Sequence, residues 1–272
     1  MLVSTAWLSD HLKDANLVIL AIGQKSDYDA AHIPGSRFLN YSDIILAKSP
    51  EGLRVELPPM DHLAGVFAAL GATNDSRIIL YPLKDWTPQV GRAWLTLDAM
   101  GLGAHAAILN GGLPLWRNED RAVTAEVPPP ARGRIEPCPQ SDVIAKLQEV
   151  RDAVGRSGVE LVDGRAPEVF AGTQSSDGKR PGHIPGATSL PFPSLQDEKG
   201  RLLPVATLQS KFSEAGIQSG QRVISYCGTG QVASNVYFVA RYLGYDARMY
   251  DGSWDEWSDH ADLPAETGPH HR

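Results

Sequence analysis

The sequence predicts an α/β protein built as two copies of one domain, each a mainly parallel sheet flanked by helices. Three observations carry that expectation. Short apolar runs of strand length alternate with stretches of helical periodicity, the pattern of a parallel sheet covered on both faces. The tetrapeptide His32-Ile33-Pro34-Gly35 returns as His183-Ile184-Pro185-Gly186. The apolar run from Arg77 to Tyr81 returns as the run from Arg222 to Tyr226, and each half then closes with a glycine and a tryptophan, Gly111 with Trp116 and Gly252 with Trp257. The order and spacing repeat, so duplication is the economical account, and a repeat this long is a domain rather than a solenoid unit.

In the first half, strands are expected over 17–22, 77–81 and 106–109, and helices over 60–70 and 89–100. The second half should open with a helix over 141–154. A strand over 160–163, a helix over 205–215, a strand ending at Tyr226, a helix over 231–243 and a strand over 247–250 follow it. Between the halves, residues 126–134 are too rich in proline and glycine for a helix or strand. The domains are therefore expected over 1–125 and 141–272, with a connector over 126–140.

The chain has 272 residues, 42% hydrophobic and 21% charged, the composition of a globular protein. Its net charge of −7 excludes a general nucleic-acid or anionic-membrane partner, both of which need a basic face, but leaves room for a small anion held by local charge. No apolar run is long enough to span a membrane. The N-terminus lacks a basic region and a continuous apolar core, so no signal peptide is expected and a cytoplasmic location is. Cys138 and Cys227 stand in unlike surroundings without a CxxC pair, so neither a disulfide framework nor a zinc site is expected, and no cofactor. His270 and His271 are assigned no role.

Cys227 ends the strand and opens a glycine-rich loop, Gly228-Thr229-Gly230-Gln231-Val232, that runs into a helix. Backbone N–H groups and the positive end of the helix converge at such a place and favour thiolate, the nucleophilic form. A buried structural cysteine is the bland alternative. Gly228 and Gly230 weigh toward chemistry, because they let backbone wrap a small anion above the sulfur. The other half has Pro82 in place of Cys227 and Leu83-Lys84-Asp85 in place of the glycine-rich run, so only one chemical centre is expected. Arg165, after the strand-end Asp163, brings a multi-donor cation to the same rim, against the alternative of a surface salt bridge. His183 reads as structural, since the half without a nucleophile has its counterpart His32, and His32 itself is structural or faces the other domain's loop; Trp254 and Trp257 read as packing a loop on the core. Cys138, between two prolines, reads as incidental.

Together the tandem layout, the paired His-Ile-Pro-Gly turns, Asp163-Gly164-Arg165, Tyr226-Cys227-Gly228-Thr229-Gly230 and the run from Asp251 to Trp257 resemble the two-domain rhodanese-type sulfurtransferases, from Trp7 to about His260. The resemblance implies an inactive first domain and a catalytic second one. It also implies a Cys227 persulfide that takes sulfur from a small anionic donor and passes it to cyanide, a thiol or a protein acceptor. By position Arg165 matches a donor-binding arginine, and Gly228, Thr229, Gly230, Gln231 and Val232 match the substrate-binding loop. Thiosulfate-specialised members place Arg and Lys after the cysteine. Mercaptopyruvate users have Cys-Gly-Ser/Thr-Gly, as here, but carry a further arginine that residues 166–172 lack. Gln231-Val232-Ala233 also departs from the usual Val-Thr-Ala. Thiosulfate is the expected donor, because a missing clamp harms the larger substrate more. 3-Mercaptopyruvate is the alternative, with Lys179 and Arg180 available to swing in. A cysteine-dependent phosphatase would need an arginine at the end of the loop, and positions 228–234 have none. A non-catalytic binding module would have lost its cysteine.

Overall fold

The computed structural model describes residues 1–50, 52–175 and 178–269; His270 and His271 lie outside the described residues. The chain forms two compact units. The first comprises 1–46, 57–141 and 198–202, the second 47–56, 142–197 and 203–272.

The first unit alternates β1 (Leu2–Val3), α1 (Thr5–His11), β2 (Leu17–Ile22), α2 (Lys25–Ala30), β3 (Arg37–Phe38), α3 (Met60–Ala69), β4 (Arg77–Pro82), α4 (Pro88–Ala99), β5 (Ala106–Leu109) and α5 (Gly112–Asn118). Its sheet has the order β1-β5-β4-β2-β3, parallel throughout. The second repeats the plan with β6 (Ile144–Ala145), α6 (Leu147–Ala153), β7 (Val159–Asp163), α7 (Pro167–Phe170), β8 (Thr188–Ser189), α8 (Val205–Glu214), β9 (Arg222–Tyr226), α9 (Ala233–Tyr242), β10 (Asp246–Tyr250) and α10 (Ser253–Asp259). The order β6-β10-β9-β7-β8 is again all parallel. Central strands are apolar on both faces because helices cover both. Ile78 to Tyr81 and Val223 to Tyr226 are all buried.

Residues 141–154 are not the single helix expected. Ile144–Ala145 is an edge strand on β10, and α6 starts only at Leu147. Lys146 between them is extended, at φ −95° and ψ 159°. An apolar pair that caps a sheet edge looks, in sequence, like the first turn of the helix that follows. Nor do Trp254 and Trp257 pack a loop on the core: they belong to α10 and are themselves buried in the second unit's core with Tyr226 and Ile224. Residues 126–140 contain neither helix nor strand, but they are strapped to the first unit by backbone bonds from Gly133 to Ala68 and from Cys138 to Met100, at 2.8 and 3.0 Å.

The repeated histidine turn has one mechanical job in both units. Each histidine backbone forms a two-bond antiparallel bridge to a later segment, His32 with Thr124 and His183 with Glu266. Each ring stacks on an aromatic one helical turn or one loop away, Tyr28 at 3.9 Å and Phe170 at 3.7 Å, and its Nδ1 meets that residue's carbonyl at 2.7 or 2.8 Å. The next backbone N–H, of Ile33 or Ile184, donates to the hydroxyl of the tyrosine near the end of the central strand, Tyr81 or Tyr226. His32 is thus a part of its own unit's framework, with Nε2 near the Glu126 carbonyl at 3.1 Å.

Burial holds the His183 imidazole below its ordinary value, against the Phe170 carbonyl and the charges of Asp163 and Glu266. A ring kept neutral by the fold contributes stability that is whole above about pH 6.5 and is lost as pH falls through the depressed value. The thermal midpoint should therefore decline between pH 7 and pH 5 more steeply in the parent protein than in His183→Asn. Parallel curves would remove His183 from the acid sensitivity of the fold.

Among the described residues no helix is long and apolar enough to cross a membrane.

Candidate active site

The second unit's sheet brings Cys227 and Arg165 together. Asp163, the last residue of β7, is in register with Tyr226, the last of β9, and Gly164 N–H donates to the Tyr226 carbonyl at 2.9 Å. The residues after each strand therefore leave the sheet side by side, at its carboxyl edge, where parallel sheets bind ligands. Space is tight there: a Cβ on Gly164 would lie 3.2 Å from the Val236 side chain of α9.

Cys227 is 2% exposed and in no disulfide among the described residues. The loop after it turns through Gly230, at φ +83°, a left-handed conformation that glycine adopts without strain, and enters α9. Ser225 Oγ, inside the strand, donates to the Ala233 carbonyl at 3.0 Å and so ties the end of β9 to the start of α9. The N–H groups of Gly228, Thr229, Gly230, Gln231 and Val232 donate to no acceptor among the described residues. The two carbonyls at the start of the loop, by contrast, are committed. Cys227 O accepts from Trp254 N–H and Gly228 O from Asp255 N–H, both at 2.9 Å. The Cys227 N–H donates to Ser253 Oγ at 3.2 Å, and that hydroxyl donates to the Tyr250 carbonyl. The first three residues of α10 thus fix one side of the loop and leave a row of open donors starting next to the thiol. Nothing in local periodicity signalled the part played by Ser253.

Arg165 is 8% exposed and is not a surface ion pair. Its Nε reaches both carboxylate oxygens of Asp163, at 3.0 and 2.9 Å. Its Nη2 donates to Asp163 Oδ2 at 2.6 Å and to the Gly182 carbonyl at 2.8 Å. Only Nη1 makes no hydrogen bond among the described residues. The guanidinium lies 4.9 Å from the centre of the Trp254 ring and 5.9 Å from that of Tyr226. Burial works against its charge, but the Asp163 carboxylate outweighs burial, with Tyr226 and Cys227 adding in the same direction, and holds Arg165 above the ordinary arginine value. Burial likewise pushes the Tyr226 phenol well above its usual range, helped by Asp163. It stays a neutral donor and acceptor.

Of the two other cations that the sequence offered, Lys179 is committed elsewhere and Arg180 only in part. Lys179 Nζ donates to the Asp255 carbonyl and to Asp259, and pairs with the Asp255 carboxylate, at 3.2, 2.6 and 3.0 Å. An ammonium has three protons, so Lys179 has none left to swing toward a substrate. Arg180 Nη1 donates to the Leu263 carbonyl at 2.8 Å and its carbonyl accepts from Trp254 Nε1, but its Nε and Nη2 are buried without a hydrogen-bond partner among the described residues, 5.8 Å separating the guanidinium from the centre of the Trp254 ring.

The same place in the first unit is filled. Leu83 is 4% exposed and belongs to the core cluster with Tyr81 and Trp116. A Cβ on Gly23, which by strand register stands where Arg165 does, would lie 3.2 Å from Leu83, and one on Gly112 would lie 2.5 Å from Pro82. Lys84 pairs with Asp27 at 2.9 Å. Proline and leucine occupy the space where the second unit has a thiol and open donors. Cys138 is exposed, in the strap at 126–140, with Gln140 beside it. Among the described residues no group of three or more His, Cys, Asp or Glu side chains could hold a metal ion.

The Rhodanese-like domain family matches the chain twice, over residues 4–119 and 146–260. A thiosulfate sulfurtransferase of Gallus gallus is 29% identical, covering 94% of this chain and 92% of its own length. One from Azotobacter vinelandii is 28% identical over 98% and 97% of the two chains. The putative thiosulfate sulfurtransferase SseB of Mycobacterium tuberculosis is 32% identical over 89% and 85%. Among solved structures, YnjE superposes with a TM-score of 0.87 at 23% identity, covering 99% of this chain and 68% of that one, a likeness of fold.

Proposed function

The chain belongs to the rhodanese-like family and is a sulfurtransferase, and from that premise we propose that Cys227 carries the sulfur as a persulfide, with thiosulfate as donor. The observation that carries this reading is the loop itself: a thiol at the end of a central strand, followed by five backbone N–H groups without an acceptor among the described residues. Open donors of that kind stabilise negative charge wherever it resides, on the donor's sulfonate oxygens, on the thiolate or on the persulfide.

In the first half-reaction the Cys227 thiolate attacks the outer sulfur of thiosulfate. The new S–S bond forms as the old one breaks, and sulfite leaves with the bonding pair. In the second, cyanide or a thiolate attacks the terminal persulfide sulfur, takes it, and restores the Cys227 thiolate. With cyanide the product is thiocyanate. A protein thiolate would serve by the same displacement. Arg165 offers Nη1 to the donor's anionic end, and the loop from Gly228 to Val232 offers the rest.

The commitment of Lys179 supports thiosulfate over the alternative donor. 3-Mercaptopyruvate needs its carboxylate clamped, best by a second guanidinium with fork geometry. Lys179 is saturated, and Arg180 gives Nη1 to the Leu263 carbonyl and keeps its Nε and Nη2 buried. Thiosulfate is compact and needs only the loop donors and one cation. The observation that favours the second donor is Thr229, half-buried in an uncharged loop, with a hydroxyl that makes no hydrogen bond among the described residues. Turnover should be compared with the two donors side by side, with cyanide as acceptor. The expected result is a higher kcat/KM for thiosulfate; a tenfold or greater advantage for 3-mercaptopyruvate would overturn the choice of donor.

A further inference from the structure

Asp255 stands out from the sulfur site as a buried carboxylate that the reaction itself does not use. It is 4% exposed, and its own N–H holds the Gly228 carbonyl. Two cations from distant parts of the sequence converge on it. Arg54 reaches it with a two-pronged contact, Nε to Oδ2 and Nη2 to Oδ1, both at 3.0 Å; Lys179 adds an ion pair to Oδ1 at 3.0 Å. Burial alone would push the carboxyl up, yet hydrogen bonds and charge from Arg54 and Lys179 hold it below the usual carboxylate range. Arg54 is contributed by residues 47–56, which are part of the second unit although they lie in the first half of the sequence.

The turn that Asp255 anchors is strained. Ser253 has φ +53°, a left-handed conformation that side chains other than glycine rarely adopt. That turn is what puts Ser253 Oγ against the Cys227 N–H and the Trp254 N–H against the Cys227 carbonyl. A strained turn persists only where its surroundings over-determine it. Two residues on, a carboxylate gripped from both sides does so.

We infer that Asp255, clamped by Arg54 and Lys179, is a positioning residue for the sulfur-carrying loop: it holds the first turn of α10 in the one conformation that ties down the Cys227 and Gly228 carbonyls and leaves the loop's N–H groups to the substrate. The inference rests on the reading of Cys227 as the sulfur carrier. Arg54 and Lys179 act on the reaction through Asp255 and the backbone, without touching the donor.

The test is the rate of sulfur loading, read by rapid mixing with thiosulfate, acid quench and intact-mass detection of a one-sulfur adduct at 25 °C. Steady-state kcat and KM are measured beside it, with the full chain as Asp255→Asn and as Arg54→Met. Loading should slow by about tenfold or more in Asp255→Asn and about threefold or more in Arg54→Met, with the loss in kcat and KM changed by less than about threefold. A clamp with only a structural role would lower the thermal midpoint and leave loading by the folded protein within twofold of the parent; that result overturns the inference. So does a rise in KM at unchanged kcat, which would make the cluster a donor-binding site. If Asp255→Asn fails to fold, Arg54→Met decides by the same criteria, since it removes a partner from the surface side. A parent protein that takes up no sulfur on Cys227 would overturn the functional reading and this inference with it. Normal loading by the parent beside unchanged variants overturns the inference alone.

Discussion

Replacing Cys227 by serine should leave a folded protein with less than about 1% of the parent's sulfur transfer, the largest loss any single substitution in this chain will cause. The serine hydroxyl is nearly the same size as the thiol and fits a position that is 2% exposed, so packing against the second unit's core is kept. What disappears is the nucleophile. A hydroxyl stays protonated at neutral pH, and it cannot form the S–S bond that displaces sulfite. Intact-mass analysis of the parent after thiosulfate treatment should show one added sulfur, mapped to Cys227, and none in Cys227→Ser. Cys138 is the internal control. It is also a free thiol, but exposed and without a loop of open N–H groups, so Cys138→Ser should transfer sulfur at the parental rate. Activity above a few per cent in Cys227→Ser, with circular dichroism and urea midpoint unchanged, would remove the persulfide from the mechanism.

Much of this site could be read from the sequence because its parts are local. A strand, a cysteine and a helix in that order place a thiol at the carboxyl edge of a parallel sheet, whatever the rest of the chain does. The difference between Cys227 and Pro82 at matched positions told the halves apart, and packing of Pro82 and Leu83 against Gly112 and Gly23 gives that difference its physical content. The short edge strand at Ile144–Ala145 was missed because two residues carry no periodicity. The grip of Arg54 on Asp255 was missed for another reason: the partners are 201 positions apart, and an ion pair leaves no spacing signature in sequence. Ser253 and its left-handed backbone belong to the same class. The hydroxyl could be seen in Asp251-Gly252-Ser253-Trp254, but its bond to the Cys227 N–H depends on a turn that only the packed α10 imposes. The His-Ile-Pro-Gly repeat was legible as structural, and the tyrosine hydroxyls that lock it, from Tyr81 and Tyr226, were present in the repeat without announcing their partner.

The second large effect concerns Arg165, and it has two components that a single substitution mixes. Arg165→Met should weaken donor binding, because Nη1 is the guanidinium nitrogen left for the donor, and losing a charge-assisted hydrogen bond of about 1.5–3 kcal/mol raises KM about tenfold or more. The same substitution strands Asp163, which is 0% exposed and receives three of the arginine's hydrogen bonds. An uncompensated buried carboxylate costs about 3–5 kcal/mol, so the single variant should also lose much of its resistance to urea. The double variant Asp163→Asn with Arg165→Met separates the two. Without a buried charge to strand, it should recover most of the lost stability while its KM for thiosulfate stays raised. Both variants keep Cys227 and the loop donors, so kcat at saturating donor should fall far less than kcat/KM. Recovery of KM together with stability in the double variant would make Arg165 a structural partner of Asp163 and leave donor binding to the loop alone. A raised KM that persists in the stable double variant assigns the anionic end of the donor to Arg165, in a protein whose net charge would otherwise repel it.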